Sequence, residues 1–178
     1  MSRRRGVLRN HWGDPRERMA YVLVETWSGK ASWVVVYASL ISSRMSWDGF
    51  KIGGGSQPIK TKHGWLLIYH GVDHSWVYRL GVLLVGLDDP GRLLYRSPNP
   101  VLEPEESCEL GEKGCYVPNV VFTCGALPSG DKEVLADDDD VLVYYGAADT
   151  ATCVATAKVY DLIPEEIRQG KNQGGYWG

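Results

Sequence analysis

The fold is decided by the stretch Trp65-Leu66-Leu67-Ile68-Tyr69-His70-Gly71, a continuous apolar run that ends in a polar residue and a glycine. Two other stretches share this plan of an apolar run, a tyrosine and a small residue at the exit: Trp33-Val34-Val35-Val36-Tyr37-Ala38 and Val141-Leu142-Val143-Tyr144-Tyr145-Gly146. Each is followed, after a short gap, by another apolar run. Short strands that recur in this way predict a β-propeller or a related array, in which each sheet stacks on its neighbours.

The rest of the chain continues the pattern, and almost none of it has helical periodicity. The residues Asp88-Asp89-Pro90-Gly91 are a strong turn signal that closes the strand before them. Only residues 164–169, with a proline near the start, predict a helical turn. The fold class is therefore all-β, and the other strands are predicted over residues 21–27, 77–87, 92–96, 117–124 and 152–159.

The net charge of −3 over 178 residues is unevenly placed. Residues 1–20 hold six arginines against Asp14 and Glu17, so this segment carries +4 and the remainder carries −7. We interpret residues 1–20 as a basic, poorly ordered arm and residues 21–178 as one domain. A body this acidic has no basic face, which argues against a nucleic-acid-binding protein.

The cysteines indicate a reducing compartment. Four of them, at positions 108, 115, 124 and 153, form no CxxC pair, which argues against a zinc ribbon or a thioredoxin-type site. Without a signal peptide they predict reduced thiols in a cytoplasmic protein. The apolar run 31–41 is too short to span a bilayer, so no membrane partner is expected. The acidic run 137–140 is interpreted as solvated turn residues, with metal binding as the open alternative.

The aromatic residues are of an unusual kind. Of the 7 Trp, 10 Tyr and 2 Phe, almost all have both a flat apolar face and a polar group. Such side chains suit strands, and they also suit surfaces that bind sugars.

A family resemblance rests on motifs that follow one another in a specific order and spacing. They are Lys51-Ile52-Gly53-Gly54-Gly55, Pro58-Ile59-Lys60-Thr61, Gly64 to Val72, Tyr78-Arg79-Leu80-Gly81, Leu87-Asp88-Asp89-Pro90, Arg96-Ser97-Pro98, Pro100 to Pro104, Val117 to Phe122 and Tyr144 to Thr150. In these motifs the chain resembles glycoside hydrolase family 130, the β-mannoside phosphorylases and related mannosidases. The resemblance covers about residues 45–165 and implies a five-bladed β-propeller, here a partial one of antiparallel blades.

The resemblance matches only the C-terminal half of the family's length. It implies that the family's catalytic aspartate, and the arginines that help to hold phosphate, lie in the half without a match. Residues 1–44 show no motif that would place those groups there, so Asp14 and Arg16 are not assigned to them. No catalytic residue is therefore assigned in this chain.

The resemblance implies a phosphate site at Lys51, His70 and, more weakly, Tyr78. Taken alone, Lys51 before three glycines is a surface lysine at a strand start, His70 is a polar strand end, and a strand tyrosine usually packs. Asp149 follows small residues and is expected to accept sugar hydroxyls, although a turn-capping role is as plausible from the residues alone. Lys60 and Asn119 are interpreted as structural, and Asp48 as a turn cap.

The family reaction implies phosphorolysis of a β-1,4-mannoside to mannose 1-phosphate with inversion. Inorganic phosphate would be the co-substrate, and neither a cofactor nor a metal is expected. A hydrolase of the same family, or an inactive sugar-binding fragment, is the alternative, and Lys51 with His70 favours phosphorolysis because water needs no such anion site. An open half-propeller also predicts self-association or pairing with an N-terminal half.

Overall fold

The computed structural model describes residues 45–111 and 114–171. The predicted basic arm and the predicted strands at 21–27 and 33–38 lie outside the described residues. Within the described part, two antiparallel sheets dominate and only short helices occur, which confirms the all-β fold class. These residues do not by themselves form a closed ring of blades.

The first sheet contains five strands in the spatial order β1-β3-β4-β5, with β2 also paired to β3. Their bounds are β1 Lys51–Gly54, β2 Ile59–Lys60, β3 Trp65–Val72, β4 Tyr78–Val85 and β5 Leu93–Arg96. The apolar runs predicted β3, β4 and β5 correctly. The two short strands β1 and β2 were not predicted, because glycine and proline surround them and depress strand propensity.

The second sheet is the antiparallel array β6-β7-β8, with β6 Val121–Pro128, β7 Asp140–Ala147 and β8 Ala151–Lys158. The prediction for β7 and β8 is confirmed, but the prediction of a strand over 117–124 is wrong at its start. Pro118 has no N–H to donate, and Asn119 has a φ of 60° in the left-handed region. A regular ladder therefore begins only at Val121.

The two sheets pack face to face, and their shared core explains why the apolar runs are continuous. Alternate residues of β3 and β4 point towards the second sheet. Leu66, Ile68, Leu80 and Val82 are at most 1% exposed there and belong to one cluster with Val121 and other residues of the second sheet. The opposite face of the first sheet is also buried, which removes the polar positions that a half-solvated strand would show.

Helical structure is confined to short segments: a 3₁₀ turn at Ser46–Asp48, α1 Ser107–Leu110, α2 Val159–Leu162 and α3 Glu165–Arg168. The predicted turn at 164–169 is confirmed as α3, whereas α1 and α2 were not predicted. Buried Glu109 anchors α1, because its carboxylate accepts a hydrogen bond of 2.6 Å from the Tyr145 hydroxyl. No described helix is long and apolar enough to cross a membrane.

The acidic run 137–140 lies in the turn before β7 and at the start of that strand. Asp137 contacts His63 at 2.6 Å and Arg168 at 2.7 Å, and Asp140 pairs with Lys158 at 2.8 Å. Among the residues that the structure describes, no group of three or more candidate ligands could hold a metal ion. The run thus joins neighbouring segments through ion pairs.

Candidate functional site

The strand register brings Lys51, His70 and Tyr78 to one face and one end of the first sheet. Val72, near the end of β3, lies opposite Lys51 on one side and opposite Tyr78 on the other. Directly opposed residues share a face, and residues two apart along a strand share it as well. His70 is therefore on the same face as Lys51 and Tyr78, and this face points towards the second sheet.

Tyr78 lies next to both of the other side chains. The Lys51 ammonium nitrogen lies 5.2 Å from the centroid of the Tyr78 ring, and the His70 and Tyr78 rings are stacked with centroids 6.1 Å apart. The residues that the resemblance implied as phosphate ligands thus form one group, which we call the Lys51 cluster. Their role in binding phosphate stays a prediction.

The His70 ring is enclosed on one side by Phe122 of the second sheet and on the other by the backbone of Gly53 in β1. The Phe122 ring of β6 lies 4.5 Å from the His70 ring, and a Cβ on Gly53 would overlap that ring. The imidazole is 8% exposed, and its Nδ1 atom is buried without a hydrogen-bond partner among the described residues. Leaving such an atom unsatisfied costs roughly 1–3 kcal/mol, so this nitrogen is a candidate for binding a ligand.

The electrostatics of this corner keep the imidazole neutral. The pKa of His70 is lowered to about 4, mainly by burial and further by the Lys51 charge, and a hydrogen bond with the Gly54 backbone partly offsets these two effects. At neutral pH the positive charge of the cluster therefore belongs to Lys51, while His70 offers an uncharged ring nitrogen.

Tyr78 is positioned by the loop that enters the second sheet. Its backbone N–H donates to the carbonyl of Asn119 at 3.0 Å, and Tyr78 forms an isolated parallel bridge with Val120. Asn119 thus acts through its backbone, in the left-handed conformation noted above. Lys60, which the sequence indicated as structural, stacks over Trp65 with its nitrogen 5.8 Å from the ring centroid.

Asp149, the predicted sugar ligand, is not part of the Lys51 cluster. It lies in the turn between β7 and β8, is exposed, and has a φ of 51°. The adjoining residue Ala148 donates to the carbonyl of Val120 at 3.0 Å, which puts the turn at the same end of the two sheets as Tyr78. The role of Asp149 in binding sugar stays a prediction.

Two features of this region were missed from the sequence. Phe122 was part of a family motif, but no role was given to it, although it forms one wall around His70. The sequence also held no sign of a buried ion pair between Asp48 and Arg96 on the opposite face of the first sheet. Asp48 does cap a turn, as predicted, since its Oδ1 accepts from the Met45 N–H at 2.9 Å.

Comparison with known proteins now identifies the family. Residues 17–165 match the glycoside hydrolase family 130 model, described as β-1,4-mannooligosaccharide phosphorylase. The chain belongs to glycoside hydrolase family 130. The family match begins at residue 17, so the predicted coverage of about residues 45–165 is corrected to include residues 17–44.

Curated members of family 130 align with about two thirds of this chain. A 1,2-β-oligomannan phosphorylase of Thermoanaerobacter sp. (strain X514) is 46% identical over 118 residues, which is 66% of this chain and 36% of the relative. A β-1,2-mannobiose phosphorylase of the same strain is 49% identical over 110 residues, 62% of this chain and 33% of the relative. A β-1,4-mannooligosaccharide phosphorylase of Ruminococcus albus is 36% identical over 122 residues, 66% of this chain and 33% of the relative.

A solved structure of family 130 shares the fold of the described part. The β-1,2-mannobiose phosphorylase of Listeria innocua, in complex with β-1,2-mannobiose, superposes with a TM-score of 0.58 at 29% identity. The match covers 80% of this chain and 36% of that structure. The chain thus spans about a third of the length of the relatives that it matches.

Proposed function

We propose that this chain is the phosphate-binding part of a β-mannoside phosphorylase, with inorganic phosphate bound by the Lys51 cluster. One observation carries the proposal: an ammonium group, a tyrosine ring and a buried imidazole nitrogen without a partner meet at one end of the sheets. Membership of a family of mannoside phosphorylases supports the choice of phosphate as the anion.

The chemistry of the cluster suits an anionic nucleophile. Phosphate leaves water only if charged and hydrogen-bonding groups replace its hydration shell. Lys51 supplies the charge, and neutral His70 donates a hydrogen bond to a phosphate oxygen from Nδ1 in the tautomer that carries the ring proton on that atom. In the reaction, a phosphate oxygen forms a bond to the anomeric carbon from one face. The glycosidic C–O bond breaks on the other face, and the leaving oxygen takes a proton from a general acid.

We assign the general acid to no described residue of this chain. Asp149 is placed as a sugar ligand that accepts hydroxyl hydrogens, because it is exposed in a turn beside the cluster and does not contact it. The proton donor then comes from elsewhere in the assembled enzyme. We therefore propose that activity requires further propeller blades beyond the described residues, whether from the same polypeptide, from a second copy or from a separate chain.

An exposed face of the second sheet supports this pairing. Tyr144 and Val154 lie opposite each other on β7 and β8 and are 41% and 54% exposed. Apolar residues side by side on an open sheet are a typical contact surface. Sedimentation of the purified chain tests pairing with a second copy, because a monodisperse monomer over a wide concentration range would exclude that partner.

The proposal also concerns which glycosidic linkage of the mannoside is cleaved. The sequence suggested a β-1,4 linkage, whereas the two Thermoanaerobacter relatives act on β-1,2-linked substrates. We propose a β-mannoside of one of these two types. Phosphate-dependent release of mannose 1-phosphate from β-1,2- and β-1,4-mannobiose, by the chain together with its partner, distinguishes them.

A hydrolase is the second candidate. One matching solved structure is described by the statement that the GH130 family of mannoside phosphorylases contains glycoside hydrolases that target β-1,2 mannosidic linkages in Candida mannan. That structure matches 72% of this chain at 28% identity and a TM-score of 0.53. In a hydrolase, water takes the place of phosphate. Release of free mannose at an unchanged rate without phosphate would favour this candidate.

Direct titration of phosphate tests the proposed site without requiring turnover. Calorimetry on the purified chain should detect phosphate binding that weakens about tenfold or more in Lys51→Met, equivalent to roughly 1.4 kcal/mol. Lys62→Met is the matched control, since Lys62 is an exposed lysine near β2, outside the Lys51 cluster. Equal phosphate affinity in both variants would exclude the site.

A further inference from the structure

Three aromatic rings, tilted to one another by 51° and 72°, meet at the end of the first sheet that also holds the Lys51 cluster. The Phe50 ring lies 4.7 Å from the Trp76 ring and 5.9 Å from the His74 ring, measured between centroids. Phe50 directly precedes β1, while His74 and Trp76 belong to the hairpin turn between β3 and β4. We call these three residues the aromatic platform. No function was predicted from the sequence for these three residues, and none of them belongs to the proposed phosphate site.

Trp76 is held outward in a conformation that a tryptophan rarely adopts. Its side chain is 58% exposed, and its φ is 64°, in the left-handed region. Such strain persists only where the surroundings enforce it, and it concentrates at functional sites. A tryptophan with no task would be expected to fold back onto apolar surface.

The surrounding hydrogen bonds enforce this conformation. Asp73 Oδ1 accepts from the N–H groups of Ser75 at 2.8 Å and Val77 at 3.1 Å, so it closes the turn around Trp76. Asp73 Oδ2 accepts from Arg79 at 2.7 Å, and Arg79 also donates to Glu103 at 3.1 Å. The platform is thus fixed before any ligand arrives, which lowers the entropy cost of binding.

The platform adjoins the phosphate site through one residue of β3. The Phe50 N–H donates to the carbonyl of Val72 at 2.9 Å, and Val72 is the residue that lies opposite both Lys51 and Tyr78. Phe50 thus lies at the same end of the first sheet as the Lys51 cluster, but side chains alternate along a strand, so its ring starts from the opposite face to Lys51. A ligand held at the Lys51 cluster reaches the rings of Phe50 and Trp76 by extending around the end of β3.

We propose that the aromatic platform stacks against one pyranose ring of the mannoside, next to the bound phosphate. A pyranose has a face of C–H groups edged by hydroxyls, which matches an exposed indole with its apolar face and its N–H. The proposal rests on the proposed function, since the mannoside is taken from it. It makes Trp76 a residue that determines sugar affinity but does not hold phosphate.

Binding titrations of β-1,2- and β-1,4-mannobiose against the purified chain, with phosphate present, test the platform. The variants are Trp76→Ala, Trp76→Phe, which keeps a ring, and Tyr160→Ala. Tyr160 lies in α2, which follows the β8 end opposite the β7–β8 turn, and its 41% exposure makes it a matched control. Phosphate affinity is measured in parallel for every variant, and circular dichroism verifies that each is folded.

We expect Trp76→Ala to weaken mannobiose binding about tenfold and to leave phosphate affinity unchanged. Trp76→Phe should retain most of the sugar affinity, and Tyr160→Ala all of it. Wild-type sugar affinity in Trp76→Ala would overturn the platform while leaving the proposed function intact. If Trp76→Ala changes the sedimentation of the chain but not its sugar affinity, the platform is a protein–protein contact and the proposal is wrong. If the wild-type chain binds neither mannobiose, the result would contradict both the sugar-binding role of the platform and the proposal that the substrate is a mannoside.

Discussion

Tyr69 and His70 are neighbours in β3, so their side chains enter two clusters on opposite faces of the same sheet. Tyr69 belongs to a closed cluster, in which its hydroxyl accepts from Arg96 Nε at 3.1 Å and Arg96 pairs with Asp48. His70 belongs to the Lys51 cluster, in which a buried nitrogen has no partner among the described residues. Both clusters combine charge with aromatic rings, and they differ in this one nitrogen of His70.

Whether a cluster satisfies its polar groups distinguishes charges that stabilise the fold from charges that are available to bind a ligand. The closed cluster is covered by Trp47, whose indole N–H donates to the Pro98 carbonyl at 3.1 Å. Glycines at 71 and 81 make room for it, since a Cβ on Gly81 would lie 2.6 Å from both the Trp47 and Tyr69 rings. A complete network has nothing left to offer a ligand, whereas the Lys51 cluster is incomplete until one binds. Each of the following experiments tests this difference between the closed cluster and the Lys51 cluster.

The largest effect is expected from Arg96→Met in the closed cluster. It removes the guanidinium group that pairs with the fully buried carboxylate of Asp48. Breaking a buried pair in this way costs about 3–5 kcal/mol in the free energy of unfolding, measured by urea denaturation. Lys132→Met, which removes an exposed pair with Asp139, is the control and should have little effect. A similar small loss in both variants would show that the closed cluster does not stabilise the fold.

The second effect is a dependence of stability on pH that comes from His70. Its pKa is about 4 in the folded protein and about 6.5 in the unfolded chain, so between these values the unfolded state binds more protons. Stability from this group is complete above pH 6.5 and is lost as the pH falls towards 4, by roughly 3 kcal/mol in total.

Urea unfolding at several pH values between 4 and 7 measures this loss. The slope should be smaller in His70→Gln than in the wild type and unchanged in His74→Gln, because His74 is exposed. If His70→Gln retains the full slope, then His70 is not the buried neutral group that the Lys51 cluster requires.

A third, smaller effect separates binding from stability at Gly53. An alanine there would push its Cβ into the His70 ring and displace the imidazole from the cluster. We expect phosphate affinity to fall about tenfold in Gly53→Ala, as measured by calorimetry. Gly125→Ala, in the second sheet, has no atom within 4 Å of the added Cβ and should bind phosphate normally. Normal phosphate binding by Gly53→Ala would mean that the position of His70 is not important.

The sequence predicted the fold where local signals were sufficient. Strands β3, β4 and β7 are apolar on both sides, and the Asp88–Gly91 turn defines the end of β4. Strand β6 was misplaced by four residues because its start depends on Pro118 and on the left-handed backbone of Asn119. Periodicity does not detect either of these.

The sites were predictable only in part, for a geometric reason. Lys51, His70 and Tyr78 came from family motifs, but their convergence depends on the register of β1 against β3, which no residue pattern sets. Asp48 and Arg96 are 48 positions apart, and Phe122 comes from the other sheet. Contacts between elements so distant along the chain are decided by packing, so the closed cluster and the wall beside His70 were missed.

The smallest effect is expected at the surface pair that fixes α3. Hydrogen bonds from His63 and Arg168 hold the pKa of Asp137 below its ordinary value. The carboxylate is about one third exposed, so solvent screens both contacts and Asp137→Asn should cost only about 0.5 kcal/mol in urea unfolding. The difference from wild type should shrink further in high salt, where exposed charges interact weakly. A loss as large as that of Arg96→Met would mean that partner geometry, and not burial, determines the strength of ion pairs in this protein.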